Sequence, residues 1–210
     1  MKKFVIFDFD GTLVDTLEIV ANLFRKIIKK YGYDNVTNEE IESLRNMNPI
    51  EIIRNFKFPI WKIPKLVKNV RGELARNVEK IKPYEGISDM LYELKSKGFN
   101  LAIITSNSEH TVKKICDKHN INFFDQVIGS DGIFNKSQYL INFIKKHKLQ
   151  NQDVIYVGDE VRDIEAAQDA YVEIVSVTWG FNKREVLLKN NPNYLVDKPS
   201  QILKLLDKSS

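Results

Sequence analysis

The chain has 210 residues, 43% hydrophobic and 29% charged, which is the length and mixed composition of a globular protein with a full hydrophobic core. No apolar run approaches the roughly 20 residues of a membrane span, and the formal net charge of +4 comes with no nucleic-acid-binding motif, so neither membrane nor nucleic acid is expected as a partner. Cys116 is the only cysteine, which excludes an internal disulfide and fits a reducing, cytoplasmic setting.

Met1-Lys2-Lys3 leads directly into Phe4-Val5-Ile6-Phe7, a buried-strand composition, and does not resemble a secretory leader. Asp8 and Asp10 follow, two residues apart and so on one side of an extended chain. Two carboxylates that close repel unless a cation lies between them, which predicts a divalent-cation site with one acid available for chemistry. Gly11 lets the backbone turn there, and Thr12 adds a hydroxyl and an N–H.

Apolar residues at helical spacing predict a helix over 15–31, ended by Gly32. Thr37-Asn38-Glu39-Glu40 has the form of a capping box for a helix to about Arg45, and Asn48-Pro49 opens another to about Phe56. Residues 57–64 carry two prolines and are predicted as a loop holding Trp61, a residue that could face substrate or pack at a hinge; 65–80 is again helical. No strand is expected within 15–82, which is predicted to be a helical module. Its residues 45–82 hold ten basic residues against three acids, either a solvated surface or a field suited to an anionic substrate.

From Pro83 the pattern alternates. Helices are predicted at 87–97, 109–119, 137–147, 161–169, 184–190 and 200–207. Strands are predicted at 99–104, 125–129, 153–157, 173–178 and 194–196. This order implies a parallel sheet covered on both faces, with ligands beyond the carboxyl ends of its strands. Four clusters follow strands: Asp8-x-Asp10-Gly11-Thr12, Thr105-Ser106-Asn107-Ser108, Lys136, and Gly158-Asp159-Glu160-Val161-Arg162-Asp163. One rim would thus gather hydroxyls, helix-N-terminal amides, a lysine and acids, the equipment for holding a phosphate and a divalent cation together. Taken singly, Thr105–Ser108 could be only a helix cap and Lys136 only a solvated lysine.

These clusters, in this order, resemble the haloacid dehalogenase-like hydrolases, in particular their phosphoglycolate-phosphatase-like branch. Asp8-Phe9-Asp10-Gly11-Thr12-Leu13-Val14-Asp15, Val157-Gly158-Asp159 with Asp163-Ile164-Glu165-Ala166-Ala167, and Val177-Thr178-Trp179-Gly180 carry the likeness. The resemblance implies a Rossmann-like α/β core (1–14 and 83–210) with an all-helical cap inserted at 15–82. It implies a Mg²⁺-dependent phosphatase acting on a small phosphorylated metabolite. Asp8 would be the nucleophile and Asp10 the general acid and base. Thr105 and the amides near Ser106 and Asn107 would hold phosphoryl oxygens beside Gly11 and Thr12, with Lys136 steadying both partners. Mg²⁺ would be held by Asp8, the Asp10 carbonyl and Asp159, with Asp163 behind them. Arg45 is the candidate cap contact to substrate. Two departures stand out: Ser137 follows the lysine where many relatives have proline, and Tyr171 takes a place usually held by glycine, so a different turn is expected there. A sugar-phosphate mutase on the same scaffold, or a non-catalytic phosphate-sensing protein, are the rival expectations, and the sequence leaves monomer and homodimer open.

Overall fold

A computed structural model describes residues 2–29, 36–129 and 136–207. The elements, in chain order, are β1 (Phe4–Phe7), β2 (Val14–Asp15), α1 (Leu17–Lys29), α2 (Asn38–Leu44), α3 (Pro49–Asn55), α4 (Ile63–Arg76), β3 (Lys82–Pro83) and α5 (Ile87–Ser96). Then come β4 (Asn100–Thr105), α6 (Glu109–Lys118), β5 (Gln126–Gly129), α7 (Lys136–Lys146), β6 (Val154–Gly158), α8 (Val161–Asp169), β7 (Glu173–Val177), α9 (Arg184–Lys189), β8 (Tyr194–Val196) and α10 (Pro199–Asp207). The predicted end of the first helix at Tyr31 and Gly32 lies outside the described residues.

Six strands form one parallel sheet in the order β5-β4-β1-β6-β7-β8, with β1 between β4 and β6. Alternation along the strands builds two cores. Val5, Phe7, Leu101, Ile103, Ile155, Val157 and Val175 face α5, α6 and α10. Ile6, Ala102, Ile104, Tyr156 and Ile174 face α7 and α8. Because both faces are covered, the central strands read as nearly continuous apolar runs in the sequence. The carboxyl ends of β1, β4 and β6 are adjacent, which sets Asp8, Thr105 and Asp159 side by side.

The expectation that no strand lies within 15–82 is corrected by β2 and β3. Val14 pairs with Pro83 and Asp15 with Lys82 in a two-stranded antiparallel ribbon, and α1–α4 lie between its strands. Two-residue strands, one ending in proline, carry no periodicity to read; it is the meeting of the two ends of the insert that pairs them. The predicted loop at 57–64 also shortens, since a 3₁₀ turn spans Ile60–Lys62 and α4 starts at Ile63, where proline is accepted in the first helical turn. Both predicted caps form: Thr37 accepts from the Glu40 N–H, and Asn48 from the Glu51 N–H, with each glutamate returning a bond.

At the end of α8 the expected different turn is not found. The Val172 N–H reaches the Ala167 carbonyl (2.9 Å) and the Tyr171 N–H the Gln168 carbonyl (3.0 Å), the left-handed helix ending that glycine normally serves. Tyr171 occupies it at φ +54°, with its ring in solvent. Closing the helix outweighs the strain of a side chain in that conformation.

Candidate active site

Asp8 caps the central strand. Its N–H bonds the Val157 carbonyl of β6, its Oδ1 accepts from the Phe9 N–H (2.8 Å), and its Oδ2 accepts from Lys136 Nζ (2.8 Å). Lys136 also bonds Asp163 Oδ1, so one buried ammonium joins two buried carboxylates. Burial alone would pull the Lys136 pKa down, but Asp163 and Asp8 overcome this and hold it above its ordinary value. Lys136 is thus not a solvated surface lysine.

Asp163 has its acceptor positions taken. Besides Lys136, its Oδ1 takes the Tyr156 hydroxyl, and its Oδ2 takes the N–H groups of Asp159 and Glu160. It therefore organises the first turn of α8. Asp159 accepts from the Thr12 hydroxyl (2.7 Å) on one oxygen and from the Phe181 N–H (2.7 Å) on the other. The Thr12 side chain is accordingly directed at Asp159, while the Thr12 carbonyl receives the Trp179 ring N–H.

One carboxylate oxygen from each of Asp8, Asp159 and Asp163 falls in a group whose members all lie within 4.8 Å of one another, and all three residues are buried. Burial pushes the Asp8 carboxyl up to about 6 even with Lys136 beside it. Burial, with Glu160 and Asp163 close by, puts Asp159 well above the usual carboxylate range. Added positive charge would favour the ionised forms of Asp8 and Asp159, and an all-oxygen set of this kind suits a hard cation. The backbone clears the same space. A Cβ on Gly11, where φ is +82°, would stand 2.2 Å from Asp159 Oδ2, and one on Gly180 would stand 2.2 Å from the Asp159 Cβ.

Asp10 stands apart from that trio. Both of its carboxylate oxygens face the Asn107 side-chain amide, at 3.3 and 3.1 Å. Burial and the Asp8 charge push its carboxyl up to about 7, against the lowering effect of Asn107. A group poised there can give and take a proton near neutrality.

The loop after β4 divides its work. The Thr105 hydroxyl, fully buried, accepts from the Asn107 N–H (3.0 Å), Asn107 turns its amide to Asp10, and Ser108 caps α6 by accepting from the Thr111 N–H. The Ser106 carbonyl receives Arg71 Nε at 2.6 Å, a contact from α4. Arg45, singled out in the sequence, donates from Nε to the Phe181 carbonyl (2.8 Å) and from Nη2 to the Gly180 carbonyl (3.0 Å). Its own carbonyl, with that of Met47, accepts from the buried Asn182 amide, whose oxygen takes the Val161 N–H at the start of α8. Asn182 and Arg71 have no signature in the sequence; each acts across a long sequence separation. Trp61 is exposed, in the 3₁₀ turn that precedes α4.

The sequence model of the family described as haloacid dehalogenase-like hydrolase matches residues 5–177. The chain is 32% identical to a phosphoglycolate phosphatase of Synechococcus elongatus over 95% of this chain and 94% of that one. It is 31% identical to a phosphoglycolate phosphatase of Aquifex aeolicus, covering 98% and 97%. Among solved structures, a haloacid dehalogenase-like hydrolase of Streptococcus pneumoniae superposes with a TM-score of 0.80 at 26% identity, covering 98% of each chain. The chain belongs to the haloacid dehalogenase-like hydrolases.

Proposed function

We propose that this haloacid dehalogenase-like hydrolase is a Mg²⁺-dependent phosphatase that cleaves a small phosphate monoester, phosphoglycolate or a metabolite of similar size and charge, through a phosphoaspartyl intermediate on Asp8. The observation that carries this reading is the separation of the two acids. Asp8 is joined to Lys136 beside Asp159 and Asp163, whereas Asp10 is turned away onto Asn107. Two carboxylates on one short segment thus have unlike surroundings, the arrangement that lets one act as nucleophile and the other as proton carrier.

In the first step Asp8 attacks phosphorus, and Asp10, protonated, gives its proton to the departing alkoxide oxygen. In the second, Asp10 removes a proton from water as it attacks the phosphorylated Asp8 and frees inorganic phosphate. Lys136 neutralises charge on Asp8 and the phosphoryl group throughout, and the Thr105 hydroxyl with the Ser106 N–H serves the phosphoryl oxygens, the Asn107 N–H being held by Thr105. Mg²⁺, held by Asp8, Asp159 and the Asp10 carbonyl with Asp163 supporting from behind, would supply positive charge against two approaching anions. The insert at 15–82 serves as a cap over the rim, and the contacts of Arg45 and Met47 across to residues 180–183 fix its near edge. The likeness to two phosphoglycolate phosphatases over almost the whole chain supports a small carboxylated ester as substrate.

The test is a panel of metabolite phosphates assayed for free phosphate with Mg²⁺ and with EDTA. Release that requires Mg²⁺ and favours phosphoglycolate is expected. An isomerised sugar phosphate without free phosphate, or release that persists in EDTA, would overturn the proposal.

A further inference from the structure

The peptide group that joins Ser106 to Asn107 is held at both ends. Its carbonyl accepts from Arg71 Nε at 2.6 Å, and its N–H, which points the opposite way across the planar unit, donates to the Thr105 hydroxyl at 3.0 Å. Arg71 stands on α4 of the helical insert, 35 residues earlier in the chain. Thr105 is the buried last residue of β4. A guanidinium N–H on a carbonyl is a charge-assisted bond, and the short distance agrees with that. Ser106 and Asn107 lie between β4 and α6, so neither a strand ladder nor a helix fixes this peptide for them.

α4 is well seated where it makes the contact. Leu74, one helical turn on from Arg71, is buried, and Val70 packs with it in the same apolar cluster as Phe9, Leu13 and Val14. The loop has close neighbours on its other side too: a Cβ on Gly129 would stand 2.9 Å from the Asn107 carbonyl oxygen. Beyond the held peptide, the Asn107 amide donates to both Asp10 oxygens, and its own oxygen accepts from the Ser108 N–H at 2.8 Å. The bond from the insert therefore does two things at once. It turns an N–H onto the Thr105 oxygen, which leaves the Thr105 hydrogen to be given elsewhere, and it sets the backbone from which Asn107 reaches Asp10.

We infer, on the phosphatase reading above, that Arg71 is a positioning residue: its bond to the Ser106 carbonyl sets the peptide through which Asn107 aims Asp10 at the leaving oxygen. Arg71 touches no reacting atom in this role. The helical insert thereby contributes to proton delivery, and losing the bond slows each ester according to how much its leaving group needs a proton.

Side chains of matched length test the one bond. Gln places its amide nitrogen as many bonds from the backbone as Arg places Nε, so R71Q keeps an uncharged N–H donor there, whereas R71M puts a sulfur in that place. The experiment measures kcat/KM in Mg²⁺ buffer at one pH on nitrophenyl, phenyl and methyl phosphate, for the wild-type chain, R71M, R71Q, N107A and R71M/N107A. None of these esters carries a carboxylate, so a contact from Arg71 to such a group on a substrate does not enter. R71M is expected to lose roughly 10- to 100-fold more on methyl phosphate than on nitrophenyl phosphate, whose leaving group departs without a proton. R71Q should recover most of that difference. On the N107A background R71M should add no further dependence on the leaving group, because the path to Asp10 runs through Asn107. An equal loss on all three esters in folded R71M, no recovery in R71Q, or independent effects in the double variant overturns the inference. If R71M does not fold, R71E takes its place, with an oxygen that cannot donate where R71Q has its nitrogen, and the same outcomes decide. A wild-type chain that releases phosphate from none of the esters removes the phosphatase reading itself; an active wild type with unaltered leaving-group dependence in R71M removes the role of Arg71 alone.

Discussion

Asn107 holds Asp10. Its side-chain amide donates to both carboxylate oxygens, at 3.3 and 3.1 Å, and its own oxygen is anchored by the Ser108 N–H at 2.8 Å. The bond lowers an Asp10 pKa that burial and Asp8 have pushed up to about 7. Removing it in Asn107→Ala should raise that pKa further. Because the first step uses protonated Asp10, the alkaline limb of the kcat/KM profile should move to higher pH for an alkyl phosphate, whose leaving group needs the proton. The rate itself should drop by less than the roughly 100- to 10,000-fold that proton transfer can supply, since Asp10 remains. A limb displaced to lower pH would remove Asp10 as the proton donor.

Asp8→Asn keeps the size of the side chain and can still accept on one oxygen, from the Phe9 N–H or from Lys136 but not both, and it cannot attack phosphorus. Turnover should fall at least about 10,000-fold while the circular dichroism spectrum and melting cooperativity stay as in the wild type. Appreciable residual hydrolysis in a preparation free of wild-type enzyme would exclude Asp8 as nucleophile.

The raised carboxyls make stability depend on pH and on Mg²⁺ together. In the metal-free chain Asp8 (about 6) and Asp10 (about 7) hold protons more tightly when folded than at the ordinary value of 3.8. Their contribution is therefore fully present below about pH 4 and is lost as pH rises through 6 to 7. Mg²⁺ favours the ionised site, so the gain in Tm on adding it should grow between pH 5 and 7.5. Thermal melts with Mg²⁺ and with EDTA across that range give the difference directly; a gain independent of pH would place the cation elsewhere.

Arg45 bonds the carbonyls of Gly180 and Phe181, the loop that also sends the Phe181 N–H to Asp159. Arg45→Ala should loosen the edge of the insert and the acid together, lowering kcat/KM about equally on an aryl phosphate and on phosphoglycolate. A loss on phosphoglycolate alone would instead put Arg45 on the substrate carboxylate.

Tyr171 stands at φ +54° with its ring exposed, so replacing it relieves strain and removes little packing. Tyr171→Gly should stabilise the chain by roughly 0.5–1 kcal/mol, net of the extra freedom glycine has when unfolded, and raise Tm by a few degrees without altering kcat. An unchanged or lower Tm would mean that the ring contributes packing unseen in its exposure.

Much of this was legible along the chain because it is written in local patterns. Alternation of strand and helix, the apolar run before Asp8, and the Thr37 and Asn48 caps depend on residues a few positions apart. The β2–β3 ribbon was not legible, since two-residue strands have no period. The ending of α8 differs from the expectation at Tyr171, since glycine is only the preferred occupant of a left-handed position and tyrosine tolerates it here.

For the site the line falls in the same place. By itself the sequence determined which chemistry is present: two acids after one strand, a hydroxyl loop after another, a lysine, and a second acid pair, each attached to a strand end in a parallel sheet. Only the tertiary structure decided what each group does, because that depends on which partners occupy its lone pairs and donors. Asp163 is filled by Lys136, Tyr156 and two amides; Asp10 is turned to Asn107; Arg45 is bound to two carbonyls. Those pairings span up to 136 residues of chain, as from Arg45 to Phe181. Nothing short of the folded sheet brings them within bonding distance.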